Sequence, residues 1–356
     1  MGNCLTSEEQ EKGAAPTAKS TTQFPPQNRD KIVDFEDLIN TPSSQIAVKV
    51  DKMAQVSDAA KRRIQTLPPF SAGIGVFSSN KRQLLGPYKY LDGSTYVGQF
   101  KNGMRHGYGT MVFADGSIYE GNFSADLKCG QGRLVNTEGD YYDGTWESGM
   151  ADGHGTYHFS DGVVYCGEWL RDKQHGKGRE TMPDGTVFEG LFVNSNKEGP
   201  GVLTWKDGAK FEGEFKHGLI SGHGTYAWPD GREFTGDWLD NRMHGQGVFK
   251  WKDGKKYVGG YVQDAREGYG EFTWPDGRVY KGGWQKGKQH GEGTLSGPKG
   301  EFVKGNWRNG KLVEGTGSTI TFGASFNEQT PPTEKLSSDK AREEKLNKDR
   351  VENEIL

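Results

Sequence analysis

A chain of 356 residues with a formal net charge of −3 and only 32% hydrophobic residues lacks the apolar material for a thick globular core. Its charge is spread thinly, at +2, −3 and −2 over residues 1–95, 96–317 and 318–356, which excludes the concentrated basic stripe of a nucleic-acid-binding body. Three cysteines, Cys4, Cys129 and Cys166, make no disulfide framework and fit a reducing compartment. No apolar run approaches the ~20 residues that span a bilayer, and the first residues lack the apolar core of a secretory signal.

The chain opens Met1-Gly2-Asn3-Cys4-Leu5-Thr6, the pattern for N-myristoylation of Gly2. One myristoyl chain binds membranes only marginally, with K on the order of 10⁴ M⁻¹, so stable anchoring needs a second signal. Glu8, Glu9 and Glu11 rule out a basic patch here, which leaves S-palmitoylation of Cys4. Residues 1–30 read as a polar, flexible tether. Residues 31–87 read as a linker with short helical segments. Apolar residues return over Ile32–Ile39, and Met53, Val56, Ala60 and Ile64 fall at helical spacing. The basic run Lys61-Arg62-Arg63 suits a helix C-terminus, and Leu67-Pro68-Pro69 ends the segment. Such a helix binds a partner, folds back on the rest of the chain, or stands alone in a disordered arm.

From residue 88 to 317 the chain is a repeat. Tyr96, Tyr119, Tyr142, Tyr165, Phe188, Phe211, Phe234, Tyr257 and Tyr280 each open a copy, and Val303 opens a partial tenth, always 23 residues apart. A fixed period in this range marks a repeat architecture. In the copy at Phe234, Phe234, Gly236 and Trp238 alternate with polar residues as a strand. Residues 239–245 read as the reversal, and Gly247, Phe249 and Trp251 as the second strand. Asp253-Gly254 reads as a tight hairpin turn. A glycine two residues after the opening aromatic recurs in every copy, from Gly98 to Gly305. A strand glycine marks close approach by another group, here a neighbouring aromatic ring lying across it. Tyr88–Gly93 reads as half a capping unit, and the tenth copy as carrying one extra residue between Gly310 and Gly315.

These residues resemble the MORN (membrane occupation and recognition nexus) repeat, Tyr-x-Gly-x-Trp-x-x-Gly-x-x-His-Gly-x-Gly followed by Asp-Gly. The copies at Tyr96, Phe234 and Tyr280 match closely, whereas Cys129, Asp152, Glu198, Ser221 and Glu267 replace the histidine. The fold class expected is all-β: an elongated, single-layer, twisted antiparallel sheet of tandem β-hairpins, flanked by a mostly disordered arm and a charged tail. Each repeat advances such a ribbon by ~10 Å. The resemblance implies protein or peptide binding in a groove, oligomerisation, and roles between membranes and cytoskeleton or cilia.

The ribbon is expected to expose one concave aromatic face, a candidate partner-binding surface. Its candidate residues are Tyr96, Phe100, Tyr142, Trp146, Trp169, Trp205, Trp228, Trp238, Trp251, Trp274, Trp284 and Trp307. Chemistry is expected to be absent. His106, His175, His244 and His290 share a column, but successive repeats hold them ~10 Å or more apart, too far to share one metal ion. The Gly-x-Gly pairs lack the strand-loop-helix setting and Lys-Ser/Thr of a phosphate loop. No catalytic residue or cofactor is expected. Residues 96–317 hold 27 basic against 30 acidic residues, which disfavours phospholipid headgroups. In the polar tail, 318–356, Ser337-Ser338-Asp339 can cap a helix over Lys340–Asn353.

The reading is a non-enzymatic scaffold, lipid-anchored to the cytoplasmic side of a membrane, that holds cytoskeletal or signalling proteins or a second copy of itself. Alternatives are a ciliary or flagellar structural component, and a phospholipid-binding or regulatory subunit of an enzyme.

Overall fold

The structure, a computed structural model, describes residues 57–67, 70 and 84–317. Gly2, Cys4, Met53, Val56 and the tail lie outside them. One helix, α1 (Asp58–Thr66), precedes 21 strands, from β1 (Leu84–Lys89), β2 (Thr95–Lys101) and β3 (Met104–Val112) to β20 (Phe302–Arg308) and β21 (Lys311–Gly317). Every strand pairs antiparallel with its neighbours in sequence, from β1–β2 through β2–β3 to β20–β21. The result is a single open layer in which β1 supplies the expected half unit, with Tyr88 opposite Tyr96.

The two kinds of connection are the reverse of the sequence expectation. Between β14 (Glu233–Leu239) and β15 (Arg242–Lys250), the turn is only Asp240 and Asn241. Both sit at positive φ, 47° and 64°, a type I′ turn whose twist matches the strands. Residues 242–245 belong to the second strand instead of the reversal. The Asp-Gly connection is the wider one. Its Trp251 N–H donates to Lys255 O at 3.0 Å, and Asp253 Oδ1 accepts the Lys255 N–H at 3.2 Å. An aspartate that bonds its own backbone two residues on builds a loop of this kind. Trp251 therefore lies just beyond β15. The tenth copy is also corrected: Gly305 pairs with Gly315, where the copy before pairs Gly282 with Gly293. It is one residue shorter, and its register shifts by one residue, between Asn306 and Trp307, where the copy before shifts by two.

The glycines form an unbroken line across the sheet. Gly236 faces Gly247, which faces Gly259, which faces Gly270. A Cβ on Gly236 would fall 2.6 Å from the Gly247 Cα. The ring that covers this pair is Phe234, and a Cβ on Gly247 would run into its edge. The expected crossing ring thus comes from the same strand, two residues earlier.

Candidate interaction faces

Lying flat on the glycine line, each opening ring presents its edges to two others. Phe234 meets Trp238 of its own strand at 5.2 Å and 84°, and Tyr261 of the next copy at 5.1 Å and 76°. The same T-shaped pairs run from Tyr96–Phe100 to Tyr280–Trp307, a geometry that favours aromatic pairs beyond their area. Polar tips are satisfied in most copies, Trp307 Nε1 being buried without a partner among the described residues. Trp238 Nε1 donates to Gly224 O at 3.2 Å and Trp146 Nε1 to Gly132 O at 3.0 Å. Tyr96 Oη donates to Gln99 O at 3.0 Å, beside the register shift where the ladder is interrupted.

This corrects the expectation of an exposed aromatic face. Tyr96, Tyr142, Trp146, Trp169, Trp238, Trp274, Trp284 and Trp307 are buried. Phe100, Trp205, Trp228 and Trp251 are partly buried and pack against the same cluster. The rings shield one another, so one layer makes its own core. What this face leaves open is a rim of partly buried Trp205, Trp228 and Trp251, linked in tilted contacts by the buried rings of Tyr226 and Phe249.

The opposite face carries two features that the sequence reading missed or left open. The first is an aliphatic ridge at the hairpin tips, where the two residues flanking each type I′ turn pair across it. In each of the first eight copies one of them at least is apolar: Met104, Leu127, Met150, Leu170, Val193, Leu219, Leu239 and Val262. The ninth and tenth copies place Gln285 with Lys288 and Arg308 with Lys311. Leu127, Leu170, Val193, Leu239 and Val262 are each 42–49% exposed. Reading either tip column alone hides the ridge, because the apolar residue switches strands from copy to copy.

The second feature is α1. Ser57 caps it by accepting the Ala60 N–H at 3.1 Å and donates to Thr137 O at 2.9 Å. The fully buried Ala60 packs with Val112, Ile118 and Val135, flanked by Ile64, Leu67 and Tyr141. Arg63 Nε donates to Gly139 O at 2.9 Å. Among the uses open to this segment, residues 58–66 fold back on the repeats, on the face away from the rings. The central copies break the apolar floor, with Lys210, Glu233 and Lys256 where Ile118 stands, and apolar residues return in this column at Val279 and Phe302.

Among the described residues no group of three or more His, Cys, Asp or Glu side chains is placed to hold a metal ion. Cys129 and Cys166 are free thiols.

A sequence profile of the MORN repeat matches residues 96–118, 119–141, 142–164, 165–187, 188–210, 211–231, 234–256, 257–277 and 280–302. The chain belongs to the MORN repeat family. No curated protein sequence matches it. Among solved structures, the TCP10 domain of Danio rerio CPAP in complex with a peptide of STIL is similar at 15% identity and a TM-score of 0.35, covering 64% of this chain and 97% of that one. The TCP domain of Drosophila melanogaster SAS-4 with a proline-rich motif of Ana2 gives 13% identity and a TM-score of 0.28, covering 44% and 85%. A streptogramin B lyase gives 12% identity and a TM-score of 0.16, covering 63% and 93%.

Within this MORN array, cations sit on the ring face opposite the last aromatic of the first strand. Arg266 lies 4.4 Å from the Trp284 ring centroid, and Lys197 forms a buried pair with Glu180 at 3.1 Å. Lys128 Nζ stands 3.9 Å over Trp146. Burial pushes its ammonium down to about 8, with Asp172 opposing the shift. Because the folded pKa lies below that of the unfolded chain, the unfolded chain binds more protons between the two values, and stability rises with pH there. From pH 7.5 to 9.5 the wild type should gain up to ~2 kcal/mol relative to Lys128→Met. Urea midpoints of both proteins across that range check it. Parallel curves would mean that Lys128 titrates as if in water.

Proposed function

We propose that this MORN protein is a non-enzymatic scaffold held on the cytoplasmic side of a membrane by N-myristoyl Gly2 and S-palmitoyl Cys4. The array binds cytoskeletal or signalling proteins along the aliphatic ridge. The observation that carries the partner-binding half is the ridge itself. Aliphatic residues recur at every tip of eight successive hairpins while the aromatic rings close on one another. A row of exposed apolar side chains is the mark of an interaction surface. The near-balance of charge over the repeats favours a protein partner over anionic headgroups. The anchoring half rests on the Gly2 motif and on the need for a second lipid that Cys4 supplies.

One experiment separates the two halves: detergent-free fractionation with proximity labelling of wild type, Gly2→Ala, Cys4→Ser and the double variant Leu170→Asp/Leu239→Asp in cells. Wild type should sediment with membranes, Gly2→Ala should become soluble, and Cys4→Ser should bind weakly and reversibly. The ridge variant should stay on membranes and lose its labelled protein neighbours at least fivefold. Sedimentation of Gly2→Ala like the wild type sinks the anchor. An unchanged set of neighbours for the ridge variant sinks the ridge.

A further inference from the structure

On the ridge-bearing face, each nine-residue strand bulges at a glycine in the left-handed region. In the first seven copies a side chain from the preceding strand lies over that glycine. It runs from Gln99 over Gly107, through Glu168 over Gly176, to Asp237 over Gly245. Three of these side chains also take the next backbone N–H. Gln99 Oε1 accepts from Tyr108 at 3.1 Å, Glu168 Oε1 from Lys177 at 3.3 Å, and Asp237 Oδ2 from Gln246 at 3.0 Å. The eighth and ninth copies have Gly260 and Gly283 instead. There, nothing lies within 4 Å of the Cβ position of Gly268 or Gly291.

Neither vacancy can be filled from within the strand. A Cβ on Gly260 would run into Glu267 O, and one on Gly283 into His290 O. Two further features gather here. Tyr269 stands opposite Gly283 and is 71% exposed. His290 Nδ1 is buried without a partner among the described residues, as is Nδ1 of the equivalent His175, which faces Glu168. The carboxylate of Glu267, whose backbone borders the first vacancy, is turned to the Lys286 N–H at 2.8 Å.

We propose that these two copies form a pair of main-chain cradles that take carboxylate side chains of a partner polypeptide. The partner's Asp or Glu oxygens do at Tyr269 N–H and Glu292 N–H what Asp237 and Glu168 do within the chain. Charge-assisted bonds of this kind are roughly twice as strong as neutral ones, and the Tyr269 ring shelters the pair. The cradles lie one repeat apart, ~10 Å, so two acidic residues of one segment fill both. The inference rests on the protein-binding reading and adds the chemistry of the partner.

The test uses the full chain, hexaglutamate and hexaglutamine peptides at one ionic strength, and backbone amide NMR. Hexaglutamate should shift the Tyr269 and Glu292 amides saturably, at least threefold more than hexaglutamine does. The Lys177 and Gln246 amides, already bonded within the chain, should stay still. Gly268→Asn with Gly291→Asn, a residue tolerated at positive φ, should fill the open space and abolish the shifts. Asp237→Gly should make the Gln246 amide responsive, and this gain needs no loss of folding to be read. Equal response to both peptides, uniform shifts along the array, or no shift overturns the proposal. That outcome, with ridge variants still losing their partners, removes the cradles and leaves the scaffold standing.

Discussion

Trp238→Ala will destabilise the central repeats by about 3–5 kcal/mol, the range for deleting a large buried aromatic. The ring is 3% exposed. It touches Phe211 and Phe234 at 5.5 and 5.2 Å and donates to Gly224 O. Truncation removes two edge-to-face contacts and leaves a buried carbonyl without its donor. Repeat arrays unfold through nearest-neighbour interfaces, so the loss should concentrate around β14 and β15. Native-state amide exchange over residues 211–261 reads this, alongside urea denaturation. Trp238→Phe should cost less than about 1.5 kcal/mol, because Phe already fills this column at Phe192 and Phe215. A loss below about 1 kcal/mol for the alanine variant would mean that the ring does not hold the copies together.

Gly236→Ala should be nearly as damaging, although it adds a single methyl group. Its Cβ would fall 2.5 Å from Gln246 O and 2.6 Å from the Gly247 Cα. Both obstacles are backbone, so no rotamer change relieves them. Overpacking costs typically 1–3 kcal/mol and more when the backbone must move, so a loss of about 3 kcal/mol is expected. Gly254→Ala makes the comparison. Its φ is +90°, yet its nearest obstacle is Pro275 at 3.9 Å, so only left-handed strain of about 1–2 kcal/mol remains. Thermal melts of the two variants decide between crowding and strain. Equal losses would show that the glycine line is there for conformational freedom and not for close approach.

Much of the fold was legible because a repeat displays each position ten times. The aromatic at Phe234 and its equivalents, the glycine at Gly236 and the alternation around them pointed to strands, and to a ring lying over the glycine. Turn chemistry was harder to read. Asp-Gly occurs in both tight and wide turns, and only the φ angles of Asp240 and Asn241 show which connection is tight. The docking of α1 was out of reach for another reason. Ala60 and Ile64 had the right spacing, but their floor comes from β3, β4 (Ile118–Ser124) and β5 (Leu127–Val135). The ridge was hidden because it alternates between two strands of each hairpin. The cradles needed the bulge geometry to show that Gly260 and Gly283 uncover something.

The sequence by itself determined that this protein is a MORN array of β-hairpins, because a 23-residue period leaves each unit only one way to repeat its hydrogen bonding and its rings. It also determined where a lipid anchor is expected, at Gly2 and Cys4. Periodicity names the face a ring stands on, but it does not say whether the ring touches its neighbours. That was decided by tertiary structure. With the glycine line as a floor, Tyr, Phe and Trp lie flat enough to meet edge to face, and the aromatic face closes on itself. The exposed apolar and hydrogen-bonding surface is thereby left on the other side, at the tips and at the eighth and ninth repeats.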